Sequence, residues 1–548
     1  MEKSVETVSG NIVDIVGRRV FPGVLEISDG RVAQVVEQDC EYGVYIVPGF
    51  VDSHVHVESS MLTPSEFGRV AVVHGTVAVV SDPHEIGNVL GVSGVKYMIE
   101  DGSMSPLKFY FGAPSCVPAT FFETSGAVIG AREVDELLQM DEIKYLGEVM
   151  NFPGVIGDDP EVIEKIEIAR GYSKLVDGHA PMLGGEELRK YAGFGISTDH
   201  ECTTEAEALE KIGAGMMIQI REGSAARNFY DLISIIDEHH ESCMFCSDDK
   251  HPDDLLGGHI RDLVKRAVNY GVDVMKVLQV ASLNPVLHYG LDVGMLRAGD
   301  PADFLVIDNL DDFNVLKTYI DGNLVADGKR TLVPRRSSKI VNNFKAREKR
   351  VEEFALPYTG KTGIERMNVI EAIENQIITE KTTATPTVVD GYVVSDTARD
   401  ILKIAVLNRY EDKRPAIGFV KNFNLREGAI ASSVAHDSHN IIAVGATDEE
   451  ICRAVNLVIR ESGGISAVSR ETEAVLPLPI AGIMSNEDYA TVAEKYTRID
   501  RIAKELGSTL HAPFMTLSFM ALLVIPKLKL SDKGLFDVEK FEFVDLFE

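Results

Sequence analysis

Cysteine is scarce in this chain of 548 residues, with six in all. They stand at positions 40, 116, 202, 243, 246 and 452, too thinly scattered for a disulfide framework. Cys243 and Cys246 form a CxxC, but no second CxxC exists to complete a four-cysteine zinc site. Within the apolar run CMFC they are expected to pack in a core. Basic residues are outnumbered, 54 Lys and Arg against 85 Asp and Glu, for a formal net charge of −31. Such a surface repels phosphates, so no nucleic-acid partner is expected; its plain role is to keep the protein soluble. No apolar run reaches the length of a membrane span. The opening MEKSVETVSG lacks a basic stretch followed by an apolar one. No membrane association and a cytoplasmic location are therefore expected. Repeats and low-complexity tracts are also missing.

Hydrophobic residues at 45% and charged residues at 25% describe an ordinary globular protein. The length exceeds one ordinary core and asks for two or three domains. Residues 11–47 alternate apolar and polar positions, and VLEISDGRVAQVVE with its turn at Ser28-Asp29-Gly30 reads as a β-hairpin. From Val47 onward, short apolar runs alternate with helical stretches, as in a parallel α/β fold. Eight strands are expected at roughly 48–54, 76–81, 107–112, 144–149, 174–178, 194–198, 215–220 and 243–247. Their spacing suits the βα units of a (β/α)₈ barrel.

The expected organisation follows. Residues 48–290 form the barrel, and 1–47 together with 291–333 form a small flanking β domain. The stretch 334–350, PRRSSKIVNNFKAREKR, is a linker or an arm docked on an acidic surface. Residues 351–548 form an additional C-terminal α/β domain. There, Thr447 to Glu450 reads as a capping box ahead of Ile451, Ala454, Val455, Val458 and Ile459 at helical spacing, and IIAVGA reads as a strand.

Chemistry concentrates at the strand ends. In VPGFVDSHVH, His54 and His56 lie two apart on the first strand and so project the same way. Two imidazoles at that spacing can hold one metal ion, although an HxH alone is also compatible with structural histidines. Glu148 ends the fourth strand, His179 the fifth, His200 the sixth and Asp248 the eighth. All sit at the C-terminal end of the barrel, where barrel enzymes place their active sites. Lys144 shares the parity of Glu148 but lies deeper. Asp82-Pro83-His84-Glu85 follows the second strand. His84 and Glu85 can reach the site, or the segment can be a helix start capped by its aspartate. Arg221, Glu222 and Ser224 follow the seventh strand and are candidates for holding a substrate edge. His436 and His439 sit in the later turn HDSH, which reads either as a solvated turn or as a loop reaching the active site.

This set resembles the amidohydrolase superfamily. Its members use HxH on strand one, a bridging ligand on strand four, histidines on strands five and six and an aspartate on strand eight. Glu148 stands where many members carry a carboxylated lysine, and a glutamate bridge is what bacterial and archaeal adenine deaminases use. VPGFVDSHVHVESSMLTP, SDPHEIGNVLG, LGEVMNFPGV, DGHAP, STDHE, REGSAARN, SSVAHDSHNIIAVG and MTLSFMALLVIPKLKLSDKGLFDV are similar to that family over nearly the whole chain. The resemblance implies two divalent metal ions, manganese or iron ahead of zinc, held by His54, His56, Glu148, His179, His200 and Asp248. It implies adenine as substrate and hypoxanthine and ammonia as products. Asp248 would shuttle a proton to the leaving amine; Glu85, with His84 beside it, would serve proton transfer to the ring. A homo-oligomer, a dimer, is expected. The alternatives are an amidohydrolase acting on a cyclic amide or another nucleobase, and a non-catalytic scaffold; the latter would predict degraded ligand positions.

Overall fold

The computed structural model describes residues 6–358 and 366–547. Its centre is a closed barrel of parallel strands. Five form one hydrogen-bonded run: Phe50–Val55, Thr76–Ser81, Lys108–Ala113, Ile143–Val149 and Leu175–Gly178. Three more, Thr198–Asp199, Met217–Arg221 and Cys243–Cys246, form a second run. Parallel bridges between Val176 and Ile196 and between Val55 and Asp248 join the runs and close the ring. The strands are rich in Val, Ile and Phe and buried on both faces, as parallel strands under helices must be. Cys243 and Cys246 are free thiols inside the last strand and fully buried, so they fill core.

The eight expected strands are all present, with two differences of extent. The first splits at Gly49. Tyr45–Pro48 pairs with Glu6–Asp14 and Phe304–Ile307 in a separate sheet, and Phe50–Val55 enters the barrel. A Cβ at Gly49 would run into the Val77 side chain, so this crossing point needs glycine. The sixth strand is shortened because Gly195 adopts φ +87° directly after the preceding helix, Gly185–Gly193. The chain becomes extended only beyond it.

The separate sheet has eight strands, built from residues before the barrel and residues after it. Glu6–Asp14, Arg19–Ser28 and Arg31–Glu37 form its first antiparallel part. Asp29 and Gly30 both have positive φ, the backbone of a two-residue hairpin turn. Residues 334–350 have no regular structure, yet they are docked at several points. Ser338 donates to Asp101 at 2.7 Å, Asn342 to the Ser462 carbonyl at 2.7 Å, and Lys345 N–H to the Arg409 carbonyl at 2.8 Å.

A third sheet, also of eight strands, runs from Thr379–Ala384 at one edge to Glu473–Pro477 at the other. The helix Asp448–Arg460 packs on it through Ile451, Ala454, Val455 and Val458. Thr447 caps that helix, its hydroxyl accepting from Glu450 N–H at 3.2 Å. Thr447→Ala should lower stability by about 1 kcal/mol, read as a lower melting temperature; no change would mean the cap is idle. Between the strands Ala429–Ser432 and Ile441–Gly445 of this sheet lies the turn carrying His436 to Asn440, and it points at the barrel mouth.

Candidate active site

The barrel's C-terminal ends converge on a buried cavity. Its wall includes His56, His84, Glu85, Glu148, His179, His200 and Asp248, together with His436 from the C-terminal sheet. His54 lies directly beneath: its Nε2 is 3.1 Å from His56 Nε2, 3.7 Å from Glu148 and 3.8 Å from Asp248. His56 Nδ1 faces the Asp82 carbonyl at 3.0 Å and must carry the proton there. In the neutral ring its Nε2 therefore presents a lone pair inward, 3.3 Å from Asp248 and 3.4 Å from Glu148.

Glu148 occupies the centre. His179 Nδ1 stands 2.9 Å and His200 Nε2 3.0 Å from its Oε2, while Oε1 turns to His56 and, at 3.6 Å, to His84. Burial opposes the charge of Glu148, but His179 and His200 outweigh it and hold the carboxyl well below the usual carboxylate range. Asp82 accepts from Glu148 N–H at 2.9 Å, fixing the strand end; it makes no cap to the helix His84–Leu90. Lys144 is exposed at the start of its strand and takes no part in the cluster.

Asp248 is gripped from below by Arg221, 2.8 Å from Oδ2. Burial works against its charge too, and Arg221 and His56 hold the carboxyl well below its ordinary value. Arg221 also makes a two-pronged pair with Glu201, with Nη2 to Oε2 at 3.1 Å. Its guanidinium is thus spent on two carboxylates and does not face the cavity, which corrects its expected place at a substrate edge. Glu222 and Ser224 also lie elsewhere. After Arg221 the chain doubles back, with Gly223 N–H on the Ala226 carbonyl at 3.0 Å. Glu222 turns outward to Arg266 at 3.1 Å, and Ser224 donates to Asp254 at 2.6 Å.

Glu201 and Asp249, which the sequence reading passed over, line the cavity as well, as does Asp437 of the HDSH turn. Glu201 and Asp249 directly follow His200 and Asp248, one position beyond the residue at which each apolar run ends. Ser59 donates to Asp249 at 2.5 Å. Asp437 lies 3.8 Å from His84, with its Oδ2 buried and unbonded. Met150, Ile377, Phe519 and Leu522 supply an apolar wall, three of them from beyond residue 350.

His84 stands between Asp82 at 3.5 Å, Glu85 at 3.5 Å and Asp437. Glu85 is engaged at both oxygens: His436 Nδ1 lies 2.5 Å from Oε1, and His439 Nε2 bonds Oε2.

These donors suit divalent metal. Compatible triads include His54, His56 and Asp248; His54, Glu148 and His200; and His179, His200 and Glu201. Buried nitrogens such as His54 Nδ1, His179 Nε2 and His200 Nδ1 lack hydrogen-bond partners. So many carboxylates in a dry cavity are costly unless cations join them. Imidazole mixed with carboxylate is the donor chemistry of first-row metals.

A parallel barrel with histidine pairs and carboxylates at its C-terminal mouth defines a metal-dependent hydrolase of the amidohydrolase class. The Amidohydrolase family model matches residues 45–325, and the Adenine deaminase C-terminal domain model matches residues 376–542. An adenine deaminase of Salinibacter ruber is 54% identical over 543 residues, covering 99% of each chain. An adenine deaminase of Methanosarcina barkeri is 52% identical with 99% of each covered, and one of Borreliella burgdorferi 47% with 98% of this chain and 99% of its own. The chain belongs to the adenine deaminase family of amidohydrolases.

Proposed function

We propose that this chain hydrolyses adenine to hypoxanthine and ammonia in purine salvage. The observation that carries the reading is the convergence of His54, His56, Glu148, His179, His200 and Asp248 at one buried cavity, with His436 and Asp437 of the C-terminal sheet in its wall. Met150, Ile377, Phe519 and Leu522 offer apolar contact to a flat ring. Among the described residues no helix is long and apolar enough to cross a membrane, and we place the enzyme in the cytoplasm.

In this reading His54, His56 and Asp248 would hold one divalent cation and His179 and His200 would hold a second, with Glu148 placed between the two sets of residues. Manganese, iron and zinc all suit a site of imidazoles and carboxylates, and the family resemblance puts manganese or iron first. When bound, such cations supply Lewis acidity that makes hydroxide available near neutral pH. The protein's own groups do the rest. Arg221 keeps Asp248 ionised and aimed, so its free oxygen takes the proton of the attacking hydroxide and returns it to the leaving amine. His56 and Glu148 are fixed by Asp82, through its carbonyl and its carboxylate respectively. Glu201 and His84 complete the polar wall.

Purified protein supplied with manganese or iron should release ammonia from adenine and not from guanine, cytosine or hydantoin. Preference for any of the other three would replace this reading. A second test concerns the support of Glu148. A Cβ on Gly147 would collide with the Asp82 carboxylate, whose Oδ2 accepts from Glu148 N–H. Gly147→Ala should therefore retain less metal after dialysis and melt at a lower temperature; wild-type retention would show that Asp82 does not set the Glu148 position.

A further inference from the structure

The turn between the strands Ala429–Ser432 and Ile441–Gly445 delivers two histidines to one carboxylate. His439 Nδ1 faces the Ala435 N–H at 3.3 Å and so acts as an acceptor. Its Nε2 then carries the proton and donates to Glu85 Oε2. This ring is a neutral prop. Burial lowers its pKa to about 4 despite the facing Glu85.

His436 is placed differently. Its Nδ1 meets Glu85 Oε1 at 2.5 Å, and a carboxylate oxygen there accepts, so Nδ1 carries a proton. Its other nitrogen, Nε2, is buried, has no hydrogen-bond partner, and belongs to a ring that lines the cavity. Asp249 is the closest acid to it, 3.9 Å away. The ring lies flat on Phe519, with centroids 4.5 Å apart and planes at 15°, which fixes its tilt. A carboxylate orients an imidazole through one nitrogen and leaves the other free toward the reacting space, the arrangement enzymes use for a general acid or base. Glu85 meets one imidazole at each oxygen, His436 at Oε1 and His439 at Oε2.

We infer that His436 is a catalytic residue, the acid that protonates N1 of the purine ring, and that Glu85 is its positioning residue. This rests on the adenine reading above and reassigns ring protonation from Glu85 to His436. The step balances as follows. Hydroxide oxygen bonds C6, the C6–N1 π pair moves to N1, and that pair takes the proton from His436 Nε2. The hydroxide proton passes through Asp248 to the amine as the C6–N bond breaks and ammonia leaves. The proton lost when water became hydroxide restores His436. Glu85, then Asp249 and Asp437, favour the charged ring against the cost of burial, raising its pKa to about 9. The facing carboxylates thus favour the protonated form that an acid needs.

The test uses the metal-loaded full chain. His436→Ala should lose about 10²- to 10⁴-fold in kcat, the share typical of general acid–base catalysis, with KM for adenine and metal content near wild type. Added imidazole should restore part of that rate in proportion to its concentration. His436→Gln can still donate to Glu85 but cannot pass a proton, so it should be as slow as the alanine variant. Near-normal turnover in the glutamine variant would overturn the assignment, as would an alanine variant deaf to imidazole. Loss of metal in either variant would also overturn it, since His436 would then be a ligand. Failure of the wild-type enzyme on adenine would strike the proposed function instead, and it is read first.

Discussion

Glu148→Ala should abolish metal retention and turnover together. Glu148 reaches both halves of the site: Oε2 meets His179 and His200, and Oε1 faces His56 and His84. It is 3% exposed, so no water can stand in for it cheaply. Truncation leaves four imidazoles around a cavity that has lost its central negative charge. A second cation would then face the first without a shared carboxylate to offset their mutual repulsion. The measurement is metal per chain after gel filtration, beside ammonia release. A variant that keeps two equivalents of metal and its rate would remove Glu148 from the bridge.

Asp248→Asn should keep the fold and lose about 10²- to 10⁴-fold in kcat. Asparagine preserves shape and one carbonyl oxygen but cannot accept the proton. Asp248 sits in a left-handed backbone conformation, φ +52°, which asparagine also tolerates well. Its N–H donates to the His54 carbonyl at 3.0 Å, and that bond survives the change. Arg221 loses half its neutralisation yet retains Glu201. The readout is kcat with metal counted alongside and the melting temperature checked. Near-normal turnover at full metal content would end the proton-shuttle role.

Much of this was legible in the chain because a buried parallel strand announces itself twice, as an apolar run and as a polar residue where the run stops. His179, His200 and Asp248 could be read that way without any long-range knowledge. The rule fails where the strand has already ended. Glu201 and Asp249 occupy the next position, and the turning chain carries them into the cavity. It also misleads after the seventh strand: the reversal held by Gly223 and Ala226 sends Glu222 outward to Arg266, which no periodicity records. The union of Glu85 with His436 spans 351 positions in sequence. A single sequence shows HDSH and DPHE as two polar turns; only the packing of the C-terminal sheet on the barrel mouth shows that one completes the other. Gly195 shortens the sixth strand by a backbone choice that composition alone leaves open.

The most direct test of the account is the fate of solvent oxygen. Metal-loaded enzyme is incubated with adenine in water enriched in oxygen-18, and the products are weighed by mass spectrometry with ammonia measured in parallel. The account predicts hypoxanthine carrying the heavy oxygen at C6, formed in equal amount with ammonia, and lost when the metal is chelated. Unlabelled product, product formed at full rate without metal, or no hypoxanthine at all would contradict it.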